Sequence, residues 1–155
     1  MKVLFLHGKE SGPHGSKYQA LVAAGYKVTS PDLTGLELPD RVRVTNSILD
    51  HEVFDVVVGS SMGGATAILA LQGRNDVPSL VLCAPAVGML GDSDYRFPPN
   101  TVVIQGTQDA VVTHQSVLAF CLARDLCLVS VPDDHRLSQS LDHVLGFVKH
   151  YGTVG

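Results

Sequence analysis

Short apolar runs recur along the chain and alternate with stretches of helical periodicity. The runs lie at 3–6 (VLFL), 26–30, 54–58, 80–84, 101–105 and 126–131, and valine recurs in every one but its neighbours vary. Between them the pattern predicts helices at 16–24, 39–50, 62–71, 113–124 and 138–150. Ser16 and Thr113 stand where N-caps belong, and Gly25 and Gly73 stand where helices stop. Leu141, Val144, Leu145 and Val148 share one face of the last helix. Runs such as VVV and LVLC lack a polar alternation. Their strands should therefore be buried on both faces, in a parallel sheet covered by helices on each side. Ligands of such sheets bind beyond the carboxyl ends of the strands, so any residue that carries chemistry should directly follow a strand. There is no repeat and no linker, and 1–155 is expected to form a single domain.

The most informative strand exit is DVVVGSSMGGATAIL. Gly59-Ser60-Ser61-Met62-Gly63 fits G-x-S-x-G, directly after an apolar run and directly before a helix-forming one. A sharp turn there would lift the Ser61 hydroxyl off the sheet and hold it at a helix N-terminus. Gly59 and Gly63 are needed because side chains at those places would strike the adjoining helix and strand. A nucleotide-binding turn fits less well. GSSMGG is neither G-x-G-x-x-G nor a P-loop, and it follows the third strand rather than the first. Only Ser61, and not Ser60, has glycine at both −2 and +2.

A serine becomes nucleophilic when a base takes its proton, and the base needs an orienting carboxylate. On this architecture the chain order should be serine, acid, histidine. Of the seven histidines, His135 follows the last strand, whereas His114 opens the fourth helix and His143 and His150 lie within the fifth. Asp109, in GTQDAVV after the fifth strand, is the candidate acid. An Asx-turn is the competing use of that residue. Two backbone donors should hold the oxyanion. They are expected at Met62, next to the nucleophile, and at Lys9, after Gly8 in the loop of the first strand, with His7 supporting that loop by hydrogen bonds.

Charge narrows the partners. Eleven basic against fifteen acidic residues leave a net charge of −4. A chain that grips phosphate backbones or anionic lipid surfaces needs a basic face, so neither nucleic acid nor membrane is expected as a partner. The N-terminal apolar run is too short for a secretory signal, and the protein is expected to be cytoplasmic. Cys83, Cys121 and Cys127 have no metal-binding spacing and read as free, mostly buried thiols.

FLHGKESGP, GSSMGG, GTQDAVV and DDH, in this order and at these spacings, resemble a minimal α/β-hydrolase. The resemblance is closest to the small bacterial serine esterases of the YqiA type, with their FLHG-x-x-S-x-P start and G-S-S-x-G-G elbow. It implies a reduced α/β-hydrolase fold of about six parallel strands in the order 2-1-3-4-5-6, without a cap domain. It also implies Ser61 as nucleophile, Asp109 as acid, His135 as base, and neither metal nor organic cofactor. In the family the histidine more often follows a glycine, where here Asp133 and Asp134 precede it. The expected substrate is a small ester or thioester, cleaved through an acyl-enzyme. The proline-bearing stretch 85–100 is expected to form one shallow wall of the site through Val87, Met89, Leu90, Tyr95 and Phe97. Two alternatives remain. An acyl-CoA thioesterase would need a positive patch, to which 85–100 contributes only Arg96. A non-catalytic binding module on the same fold would be expected to lack a triad member, and all three positions are filled.

Overall fold

The computed structural model describes residues 1–154. Strands β1 (Lys2–Leu6), β2 (Lys27–Thr29), β3 (Val56–Ser60), β4 (Ser79–Cys83), β5 (Thr101–Gly106) and β6 (Cys127–Val131) alternate with helices α1 (Ser16–Ala23), α2 (Leu38–His51), α3 (Met62–Ala70), α4 (His114–Arg124) and α5 (Leu141–Thr153). The strands form one parallel sheet in the order β2-β1-β3-β4-β5-β6. This is the order of the α/β-hydrolase fold, as the motifs implied. No described helix is long and apolar enough to cross a membrane.

The period-two geometry of the strands sorts the core into two layers. Leu4, Leu6, Val57, Leu80, Leu82 and Val103 face α2, α3 and α4 through Leu49, Ile68, Val117 and Phe120. Val3, Phe5, Val56, Val58, Val81 and Ile104 face α1 and α5 through Leu21, Val144 and Val148. The chain first steps from β1 outward to β2, then crosses back to β3. The carboxyl ends of β1 and β3 therefore flank the place where the winding reverses, which is where α/β sheets open a crevice.

Several boundaries differ from the sequence expectation, each for a local reason. β3 begins two residues late because Asp55 does other work: its carboxylate accepts the Lys2 amide at 2.7 Å and its carbonyl accepts the Ser79 amide. α5 starts at Leu141 rather than 138, because the Asp133 carboxylate takes the Gln139 amide and the Ser140 hydroxyl into a turn. Leu137, buried in that turn, has φ 54. The N-cap of α1 is Gly15, with no side-chain cap, and Ser16 is already helical. Thr113 does cap α4, accepting the Ser116 amide at 3.2 Å. Cys83 and Cys121 are buried free thiols, and burial pushes each to about 11, while Cys127 is exposed.

Candidate active site

Ser61 occupies the turn between β3 and α3 with φ 54 and ψ −115, a conformation L side chains rarely adopt. The turn is clamped from three sides. The Ser61 amide donates to the Cys83 carbonyl, and the Ser61 carbonyl accepts the amides of Gly64 and Ala86 at 2.9 Å each. A Cβ on Gly59 would come within 2.6 Å of the Gly63 carbonyl oxygen, and one on Gly63 would collide with the Leu6 carbonyl. A side chain at either place would push the serine turn off the sheet.

Three side chains from three strand exits meet there. His135 Nε2 lies 3.0 Å from Ser61 Oγ, and His135 Nδ1 lies 2.8 Å from Asp109 Oδ2. A carboxylate only accepts, so the Nδ1 proton faces Asp109 and leaves Nε2 free to accept from the serine. The Asp109 side chain is fully buried and all of its hydrogen bonds are fixed. Oδ1 accepts the amides of Val111 and Val112 at 2.8 Å each, and Oδ2 also accepts Gln105 Nε2 at 3.1 Å. The Asx-turn and the contact to histidine are thus two halves of one carboxylate rather than competing uses of it.

The loop carrying His135 is anchored independently. Lys17, from α1, is buried and donates to the Arg136 carbonyl at 2.7 Å. Asp133 and Asp134 build the loop: Asp133 accepts from Asp134 N, Gln139 N and Ser140 Oγ, and Asp134 accepts from Arg136 N. Burial disfavours the charged form of Asp133, but the three bonds outweigh it and its carboxyl lies below the usual range.

Opposite stands the loop after β1. A Cβ on Gly8 would meet Ser61 Cβ at 3.4 Å, so the Gly8 backbone lies directly against the serine. His7 is fully buried. Its Nδ1 donates to the Gly8 carbonyl at 2.7 Å and its Nε2 accepts the Leu33 amide at 2.9 Å. Among the described residues, neither the Lys9 nor the Met62 amide donates to a protein acceptor. Arg41, from α2, reaches the same loop with Nη1 2.6 Å from the His7 carbonyl and Nη2 3.2 Å from that of Gly8.

A cleft of about 730 Å³ passes over Ser61 and His135, between the 8–17 loop and the exits of β5 and β6 at 108–111 and 134–136. The expected wall at 85–100 is not there. That stretch folds down the α3/α4 side instead. Val87, Leu90, Tyr95 and Phe97 pack on the core, Phe97 stacks edge-on with Phe120, and Met89 is exposed. His114 also lies apart, bonded to Ser130 Oγ at 2.7 Å. Gln105, Arg41 and Lys17 went unmarked in the sequence reading. The one signal for them was a glutamine at the end of an otherwise apolar strand; Arg41 and Lys17 looked like ordinary helix-surface cations.

The sequence profile described as the alpha/beta hydrolase family matches residues 3–139. No curated protein matches the chain. Among solved structures it is similar to a lid-less α/β serine hydrolase from Xanthomonas campestris (21% identity, 97% of this chain and 79% of that one, TM-score 0.73). Est1E of Butyrivibrio proteoclasticus, solved with ferulic acid, is similar too (18%, 97% and 87%, 0.74). So is an esterase from Pyrococcus furiosus (20%, 96% and 82%, 0.72). At such identities the likeness is one of fold.

Proposed function

The chain belongs to the alpha/beta hydrolase family, and on that footing we propose that it is a serine hydrolase cleaving small carboxylic esters, with Ser61 as nucleophile, His135 as base and Asp109 as orienting acid. The observation that carries the reading is the unbroken run Ser61 Oγ–His135–Asp109 at 3.0 and 2.8 Å, reaching a serine held at positive φ beside an open cleft. The Pyrococcus furiosus esterase among its structural neighbours lends it further support.

The reaction follows from the placement of each atom. Ser61 Oγ attacks the ester carbonyl carbon while its proton passes to His135 Nε2. The electron pair of the C=O bond moves to the oxygen, which takes the Met62 and Lys9 amides as donors. The intermediate collapses, the C–O bond to the alcohol breaks, and His135 returns the proton to the leaving oxygen. Water then attacks the acyl-serine with the same base, releasing the acid and restoring Ser61. Asp109 keeps its charge throughout and stabilises the imidazolium. An acyl-CoA thioesterase is a second reading of the same chemistry. It is favoured by the exposed Lys9 and Arg136 lining the cleft, cations that would suit the phosphates of a CoA leaving group, and opposed by Glu10 and Asp134 in the same lining.

Labelling with a fluorophosphonate, followed by peptide mass analysis, tests the assignment. Modification of Ser61 that is absent in Ser61→Ala is expected. Modification of Ser60, or none alongside no turnover of p-nitrophenyl acetate, would sink it.

A further inference from the structure

We infer that Arg41 is a positioning residue that aims the Lys9 amide at the oxyanion, a role that rests on the serine-hydrolase reading of this site. Arg41 is 1% exposed, yet no carboxylate pairs with it among the described residues. Its three nitrogens go to main-chain carbonyls: Nη1 to His7 at 2.6 Å, Nη2 to Gly8 at 3.2 Å and Nε to Leu36 at 3.3 Å. A buried charge without a counter-charge is costly to desolvate, which makes it a poor way to gain stability. The feature that sets this guanidinium apart is which carbonyls it holds.

A peptide unit is planar and trans, so the C=O of one residue and the N–H of the next point in opposite directions. The Gly8 carbonyl and the Lys9 N–H share such a plane. The carbonyl is drawn inward by two buried donors, Arg41 Nη2 and His7 Nδ1. The Lys9 N–H must then point outward, on the side where Gly8 lies against Ser61 and where Lys9 lines the cleft. The neighbouring plane obeys the same rule: Arg41 Nη1 holds the His7 carbonyl and so turns the Gly8 N–H. One rigid fork thus fixes two successive planes. Gly8, which has no side chain, is otherwise the residue freest to rotate them. A donor fixed before the substrate arrives needs no reorganisation when charge develops, and it acts on the transition state rather than on substrate binding.

The test compares wild type, Arg41→Met and Arg41→Lys as full chains. It uses p-nitrophenyl acetate kinetics, the affinity of a phenylboronic acid as a tetrahedral mimic, and thermal unfolding. In Arg41→Met, kcat should fall roughly 10²–10³-fold, as for loss of one oxyanion donor. KM should stay within about twofold, and boronate affinity should fall in step with kcat/KM. Arg41→Lys can hold one carbonyl and should lie between. If Arg41→Met does not fold, the same kcat-against-KM split is read in Arg41→Lys, where a loss of at least about tenfold is expected. A folded variant with wild-type kcat, or one whose loss follows its unfolded fraction with boronate affinity intact, overturns the proposal. Failure of the function itself would already show in the wild type, as no labelling of Ser61.

Discussion

Asp109 divides its carboxylate between two tasks: Oδ2 faces His135 Nδ1 at 2.8 Å, while Oδ1 gathers the amides of Val111 and Val112. The division separates two substitutions. Asp109→Asn can keep a carbonyl oxygen on the amides, but its NH₂ then faces His135 Nδ1. The ring must accept there and carry its proton on Nε2, the wrong tautomer to take a proton from Ser61. Turnover should fall roughly 10⁴-fold. The unfolding midpoint should drop, because the new NH₂ also meets the Gln105 Nε2 donor. It should drop by less than in Asp109→Ala, since the Val111 and Val112 amides keep their acceptor. Asp109→Ala should lose both activity and stability, because the half-buried amides of Val111 and Val112 and the buried Gln105 Nε2 lose their acceptor. Equal midpoints for the two variants would contradict the division.

Ser61 carries backbone strain that a glycine would not. A non-glycine residue in a sparsely populated region costs of order 1–3 kcal/mol, and glycine's own entropy returns about 0.5–1 of that. Ser61→Gly should therefore be inactive and more stable than wild type by about 1 kcal/mol, roughly 2–4 °C in midpoint for a chain of this size. Ser61→Ala should be equally inactive without the gain. Calorimetry on the two variants decides, and a Ser61→Gly midpoint no higher than that of Ser61→Ala would remove strain from the account.

The sequence revealed the sheet because parallel strands buried on both faces must be apolar throughout, and VVV, LVLC and TVVI meet that demand without help from distant residues. Ser61 was equally legible, since the glycines its turn requires, Gly59 and Gly63, stand within two residues of it, although the turn is also clamped by Cys83, Ala86 and Leu6 from other strand exits. His135 and Asp109 needed the chain order of a known architecture, because 74 and 26 residues separate the atoms that touch. Arg41 and Lys17 were not legible at all. Each is a cation on a helix whose burial depends on a loop that comes from elsewhere in the chain. The path of 85–100 was misjudged for a related reason: its aromatic residues prefer the α4 face, where Phe120 and Arg124 stack on them.

Gly106 is the glycine on which the His135 loop rests. A Cβ there would collide with the Asp133 carbonyl and stand 2.9 Å from that of Asp134. Both obstacles are backbone and cannot swing aside. Gly106→Ala should push the loop away from Ser61, and a displacement near 1 Å costs roughly 10²-fold in rate. The variant should label slowly with fluorophosphonate while keeping its fold by circular dichroism. A wild-type labelling rate would show that the loop tolerates the shift.

His7 links folding to pH. Burial above all keeps its imidazole neutral, with the nearby Arg41 charge acting the same way, and the bond to Gly8 only partly offsets them. Its folded value therefore lies below 6.5. Below that pH the unfolded chain takes up a proton that the folded chain resists. The stability is fully present above about 6.5 and is lost as pH falls through the folded value. Urea unfolding should show a plateau near pH 7–8 and a decline below it. His7→Asn, which keeps a donor toward Gly8 but does not titrate, should flatten that decline by at most about 1.4 kcal/mol per pH unit. An identical slope in the variant would assign the decline to other groups.

On the proposed function, the cleft should favour short acyl groups. Its walls come from loops, and Lys9, Glu10, Ser11, Gly12, Ala110 and Val111 along it are all exposed. Phe5, Ala110 and Val111 are the apolar side chains among its lining residues. With 85–100 folded away on the α4 side, nothing among the described residues closes over a long alkyl chain. Each methylene left in water forgoes about 0.8 kcal/mol of binding, so added length brings no gain once the cleft floor is filled. In a p-nitrophenyl ester series from acetate to palmitate, kcat/KM should be level or fall beyond the short chains. A value that climbs steadily to palmitate would mean that the loops at 8–17 and 108–111 close into a tunnel around the acyl chain.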